Sequence, residues 1–298
     1  MLPGPCQIRT PLCGVPDRPT ICPVGTVVGA APSAPWNARW GSDLVRRACA
    51  EHATLELPAD EIHVWRGWLD LPAGVAAAMW GLLCTGERER AERFRFDRDR
   101  RRFIVGRGLL RLLTACYLEE PPESIRFGYG EYDKPYLDGP GPFFNLAHSG
   151  PVALLAFSSA SEIGVDVELA GHDLSRERIA ERFFSPAEVR ALRGLPARAQ
   201  ARAFLNCWTR KEAFIKARGD GLSLPLDSFD VTLAPGQPPR LLRTAWSSEE
   251  PGRWHFEDLS DPDGQLIAAV ASRSTGWRAV TRRVDELVGD EPSDKENR

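Results

Sequence analysis

Glu212 and Lys216 stand four residues apart in the run Phe204–Ala217, FLNCWTRKEAFIKA, and Asp166 and Glu168 stand two apart in IGVDVE. If the first run is a helix, Glu212 and Lys216 share a face with Trp208 one turn earlier, and Lys211 points about 100 degrees away. If the second is a strand, Ile163, Val165 and Val167 face one side while Gly164, Asp166 and Glu168 face the other. Carboxylates so close repel unless a cation separates them or one takes a proton. Oxygen-only donors suit magnesium or manganese, and no neighbouring histidine or cysteine set suggests zinc. Three carboxylates beside several cations describe a divalent ion that holds phosphates. Two blander readings stay open: a solvated acid pair, and a surface Glu–Lys pair contributing about 0.2–0.5 kcal/mol.

His148 in FFNLAHSG is read as standing at a strand entrance, where its ring can donate to a phosphate while Asn145 and Ser149 shape the turn or add further bonds. A loop histidine capping its own backbone explains it equally well. Between Leu83 and Arg111 lie ten arginines. Arg98, Arg100, Arg101 and Arg102 cannot share one helical face, so some are solvated, and a nucleic-acid patch is the competing explanation. Lys134, before a proline, adds a fixed cation. A terminal phosphate suits such a cluster, because bidentate arginine bonds join charge to geometry.

Several elements must position these groups. EIHVWRGWL, Glu61–Leu69, begins as a strand. Glu87 to Leu118 reads as an arginine-rich helical region interrupted near FRFDRD, with Leu109, Leu112, Leu113 and Cys116 toward the core. Ile125–Phe127 reads as a short strand and Val152–Phe157 as a buried one. Ser185-Pro-Ala-Glu188 is a capping box with proline at the first helical position. A longer helix is expected over Arg198–Ala217, ending at Arg218–Gly219. Ser228–Leu233 and Gln265–Ser272 are expected strands.

The 298 residues suffice for one large domain or two smaller ones, and 43% hydrophobic with 27% charged residues is an ordinary globular composition. A net charge of -3 argues against an unfocused nucleic-acid binder. No apolar run has membrane-spanning length, and the opening lacks a secretory pattern. Seven cysteines without paired ligand spacing point to free thiols in a reducing cytoplasm, Cys207 being a packed one. Residues 1–35, rich in proline, glycine and small side chains, are expected to form a flexible N-terminal extension, and 284–298 a charged C-terminal tail.

In this order and spacing, FFNLAHSG, IGVDVE, RFFSPAEV and WTRKEAFIKARGDGLSLPLDSFDV resemble a 4'-phosphopantetheinyl transferase of the large, surfactin-synthetase-activating type, over about Ile62 to Ala271. The resemblance implies an α+β fold: a pseudo-two-fold pair of similar halves in one chain, 36–160 and 161–283, with coenzyme A between them. Sequence identity between the halves is too weak to demonstrate a repeat. It further implies transfer of the phosphopantetheine arm of coenzyme A, the co-substrate, to a serine of an apo acyl or peptidyl carrier protein by a monomer, without nucleic acid or membrane. Asp166, Glu168 and Glu212 match the family's magnesium site, with manganese an alternative. Lys216 matches the lysine near the bridging phosphates, Lys211 a neighbouring cofactor contact, and His148 a phosphate contact assisted by Ser149. Arg90, Arg102 and Lys134 fall where the nucleotide is gripped. Glu212, Lys216 and His148 are the expected catalytic groups. Ala147 replaces a serine common in relatives, Glu87 stands where some have a base, and Val167 leaves Glu212 and water to complete the metal shell.

Overall fold

A computed structural model describes residues 55–171 and 176–284. The expected N-terminal extension, and all of the charged tail beyond residue 284, lie outside them. The chain writes one topology twice. The first half runs β1 (Glu61–Trp68), α1 (Ala73–Leu82), α2 (Thr85–Glu92), α3 (Asp97–Leu118), the hairpin β2 (Phe127–Tyr129) and β3 (Pro135–Leu137), then β4 (Phe143–Ser149) and β5 (Val152–Ser158). The second runs β6 (Ile163–Leu169), α4 (Arg176–Phe183), α5 (Pro186–Arg193), α6 (Ala197–Arg218), the hairpin β7 (Phe229–Val231) and β8 (Leu241–Thr244), then β9 (His255–Asp258) and β10 (Leu266–Ser272). In each half the first strand pairs antiparallel with the last, which pairs with the one before it: β1-β5-β4 and β6-β10-β9. A final strand, β11 (Arg278–Arg283), leaves the second half and adds parallel to β1.

The two sheets pack face to face, and each is covered outside by its 22-residue helix. Ile62, Val64, Leu154 and Ala156 meet Val165, Val167, Ala268 and Val270 in the layer between sheets. Trp65, Phe157, Leu109 and Leu113 fill the layer under α3, while Phe204, Phe214, Ala269 and Ala271 fill the layer under α6. Strand alternation produces this sorting, because successive side chains of one strand serve two layers. Burial of these apolar groups, at roughly 25 cal/mol per Å² removed from water, is the main favourable contribution.

The signals at helix ends act as read. Ser185 Oγ accepts from Glu188 N (3.2 Å) while Glu188 Oε2 accepts from Ser185 N (2.9 Å), and Gly219 closes α6 in the left-handed region at φ 79°. The FRFDRD interruption is the break between α2 and α3. Other elements shift. The strand expected over Ile125–Phe127 starts at Phe127, because the Ile125 carbonyl is taken by the Arg111 guanidinium (2.8 Å). Ser228–Leu233 shortens to β7 because Leu226–Ser228 is a 3-10 turn. His148 stands inside β4 rather than at a strand entrance. Among the described residues no helix is long and apolar enough to cross a membrane.

Candidate active site

Gly164 sets the site's position. A Cβ there would fall 2.1 Å from the Ala213 carbonyl oxygen and 2.4 Å from the Ala217 nitrogen, so β6 and α6 touch backbone to backbone. That approach places Asp166, on the same face of β6, against the last turns of α6. Lys216 Nζ donates to Asp166 Oδ1 at 2.5 Å and to the Val165 carbonyl at 3.4 Å. Burial is the first cause raising the Asp166 carboxyl above the usual range; Lys216 opposes it and Glu168 adds to it. Glu212 is likewise raised, by burial first, with Lys216 opposing and Asp166 reinforcing. Asp166 thus stands electrostatically between two other acids, with one ammonium in their midst.

His148 joins this group from the first half. Its ring is exposed on the surface, yet desolvation is the first cause lowering its pKa, followed by the charges of Lys216 and Arg102. Arg102 makes a fork with Asp70, Nε to Oδ1 and Nη2 to Oδ2, both 2.6 Å. That pairing lowers the Asp70 pKa and raises that of Arg102. Lys134, in the β2–β3 turn, pairs with Glu162 at the start of the second half and donates to the Ile163 carbonyl (3.3 Å). Arg90 is half-buried with its guanidinium 5.7 Å from the Phe103 ring centre; burial and then Arg107 lower its pKa.

Two expected cofactor contacts are elsewhere engaged. Lys211 is fully buried: its ammonium donates to the Leu226 and Phe229 carbonyls, both 2.6 Å, and pairs with Glu188 Oε2 at 2.8 Å. With its donors used inside the second half, Lys211 is corrected from a cofactor contact to a brace. Ser149, only 8% exposed, donates its hydroxyl to Glu168 Oε2 (2.8 Å) and accepts from Leu169 N (3.3 Å), so it addresses an acid rather than a phosphate. Asn145 Oδ1 accepts from Val165 N (2.9 Å), a second side-chain pin between the halves. Ala147 packs into the apolar layer between sheets. Glu87, where some relatives have a base, is buried and holds Arg111 Nε at 2.7 Å.

Sequence reasoning missed Asp70 and the Glu87–Arg111 pair. The capping box around Glu87 starts at Cys84, outside the usual serine and threonine signature, so nothing in the sequence marked Glu87 as structural.

Whether a metal fits is decided at Asp166. Its Oδ2 is buried with no hydrogen-bond partner, a costly arrangement that a cation would relieve. The surrounding donors are all oxygens, which fits a hard divalent ion. Among the described residues no three acid, histidine or cysteine side chains are gathered as a ready-made cage. Ser149 holds one oxygen of Glu168 and Lys216 one of Asp166.

Acids, a lysine and a histidine thus stand near one another at the seam of a two-half α+β scaffold. The family model described as 4'-phosphopantetheinyl transferase, N-terminal, matches residues 66–160, and that of the 4'-phosphopantetheinyl transferase superfamily matches 162–271. The chain is 38% identical to the 4'-phosphopantetheinyl transferase HetI of Nostoc sp., over 75% of this chain and 92% of that protein. It is 39% identical to a putative 4'-phosphopantetheinyl transferase of Synechocystis sp. (69% and 81% covered) and 40% identical to the transferase Sfp of Bacillus subtilis (49% and 65%). The chain belongs to the 4'-phosphopantetheinyl transferase family and is an enzyme of phosphopantetheinyl transfer.

Proposed function

We propose that this enzyme is of the large, surfactin-type branch and moves the 4'-phosphopantetheine arm of coenzyme A to a serine of an apo carrier protein, releasing adenosine 3',5'-bisphosphate. The observation that carries this reading is the meeting of Asp166, Glu212 and Lys216 of the second half with His148 of the first. The serine oxygen attacks the β-phosphorus, and the bond from that phosphorus to the bridging oxygen of the nucleotide breaks. Glu212, directly or through a metal-associated water, receives the serine proton. Lys216 stabilises the departing phosphate, and His148 shares that charge. Arg90, Arg102 (held by Asp70) and Lys134 grip the nucleotide. Asp166, Glu168 and Glu212 would hold magnesium, or manganese, which supplies charge neutralisation at the phosphate oxygens.

The carrier is proposed to present its serine at a helix start beside an acidic surface, in the manner of peptide and polyketide synthase carriers, in the cytoplasm. One chain supplies both sides of the cleft, so a monomer suffices. Incubation with magnesium, coenzyme A and purified apo-carriers, read by carrier mass, tests the reaction. A carrier heavier by one phosphopantetheine, with equimolar adenosine bisphosphate, is expected. Nucleotide release without a carrier would instead indicate a phosphodiesterase, and carriers of unchanged mass would overturn the reading.

A further inference from the structure

We infer that Ser149 is a positioning residue for Glu168, through which the first half sets the metal affinity of the second; this rests on the metal reading above. β4 and β6 lie side by side at the seam, and no backbone ladder joins them among the described residues. Side chains from one face of β4 make the connection instead, Asn145 to Val165 N and Ser149 to both Leu169 N and Glu168. The Asn145 bond is to backbone and therefore fixes the strand. Ser149 does more: one buried hydroxyl accepts from the β6 backbone and spends its proton on a β6 carboxylate. A hydroxyl has a single hydrogen, so acceptance from Leu169 N leaves that hydrogen for Glu168. The bond therefore fixes Glu168 Oε2 relative to the β6 backbone and to the first half together.

The consequence is specific. Removing a hydrogen-bond partner of a ligating carboxylate commonly weakens metal binding by about 10–100-fold. Manganese titrated into the protein with coenzyme A present, free ion being read by its electron paramagnetic resonance signal, measures this directly. Ser149→Ala is expected to bind manganese at least about 10-fold more weakly, while Ser149→Thr, which keeps the hydroxyl, stays near wild type. The double variant Ser149→Ala/Glu168→Gln should bind no more weakly than Glu168→Gln alone, since the hydroxyl acts through that carboxylate. A general loosening of the seam would instead add to the Glu168→Gln loss and would lower the melting temperature in chelator. Unchanged affinity in Ser149→Ala, or additive losses, would overturn the inference. Manganese binding that survives Asp166→Asn unaltered would instead sink the metal reading itself, and this inference with it.

Discussion

The helices α3 and α6 begin one hundred residues apart, at Asp97 and Ala197, and both have 22 residues, so their positions correspond one to one. Arg111 matches Lys211. Each is a buried cation paired with the capping-box glutamate of the helix before it, Glu87 or Glu188. Each also donates to carbonyls of the segment leading into the following hairpin, and lies over that hairpin's first ring, Phe127 or Phe229, at 5.4 and 4.2 Å. From the next residue onward the halves part. Leu112 and Cys116 are buried in the first half, where the second carries Glu212 and Lys216. On the facing strands, β1 turns His63 and Trp65 to a shared bond with Tyr117 Oη, both 2.9 Å, while β6 turns Asp166 to Lys216 of α6. The duplicated parts are scaffold, and the parts that differ carry the residues proposed for the chemistry.

The largest effect should separate Glu212 from its counterpart. Glu212→Gln is expected to lower carrier modification at least ~100-fold with the fold intact. Leu112→Ala should destabilise the protein by about 2–5 kcal/mol and leave kcat of the folded fraction unchanged. Chemical denaturation beside a carrier-mass assay reads both, and equal behaviour of the two variants would erase the distinction.

Next come the matched cations. Arg111→Met and Lys211→Met each strand a buried glutamate and should each cost roughly 3–5 kcal/mol. Neither should change the KM for coenzyme A. A Lys211→Met enzyme of normal stability and raised KM would restore that lysine to the cofactor site.

A smaller effect concerns pH. Asp166 and Glu212 hold protons more tightly folded than unfolded, so the metal-free folded state retains protons that the unfolded chain has lost. Their contribution to stability therefore falls as pH rises from the ordinary carboxylate range, about 4, toward their raised values. Glu212→Gln should gain stability over wild type more at pH 7.5 than at pH 5 in urea unfolding with chelator. Leu112, the counterpart of Glu212, carries no titratable group, so Leu112 variants should show no such pH-dependent gain.

The smallest effect lies at the helix ends. Glu119 closes α3 at φ 56°, where Gly219 closes α6 at φ 79°. Glu119→Gly relieves left-handed strain at the cost of unfolded-state freedom, and should stabilise by up to about 1 kcal/mol. A lower melting temperature would contradict it.

Much of this arrangement was legible in the sequence, for definite reasons. The alternation in IGVDVE and the four-residue spacing of Glu212 and Lys216 report local geometry, and the capping box and Gly219 mark ends by local chemistry. The position of Lys211 and Ser149 was not legible, because their partners Glu188, Leu226, Phe229 and Glu168 are brought near only by the tertiary fold. Spacing alone cannot tell a buried lysine facing carbonyls from one facing phosphate. The repeat itself was hidden, since it is kept in helix length and pairing order while residue identities have diverged.

Crystals grown with manganese and coenzyme A would test the central claim most directly, through the ion's anomalous scattering. The account predicts one ion at the seam, within ~2.0–2.2 Å of oxygens from Asp166, Glu168 and Glu212. An ion held by first-half side chains, or one that none of these three carboxylates touches, would contradict it.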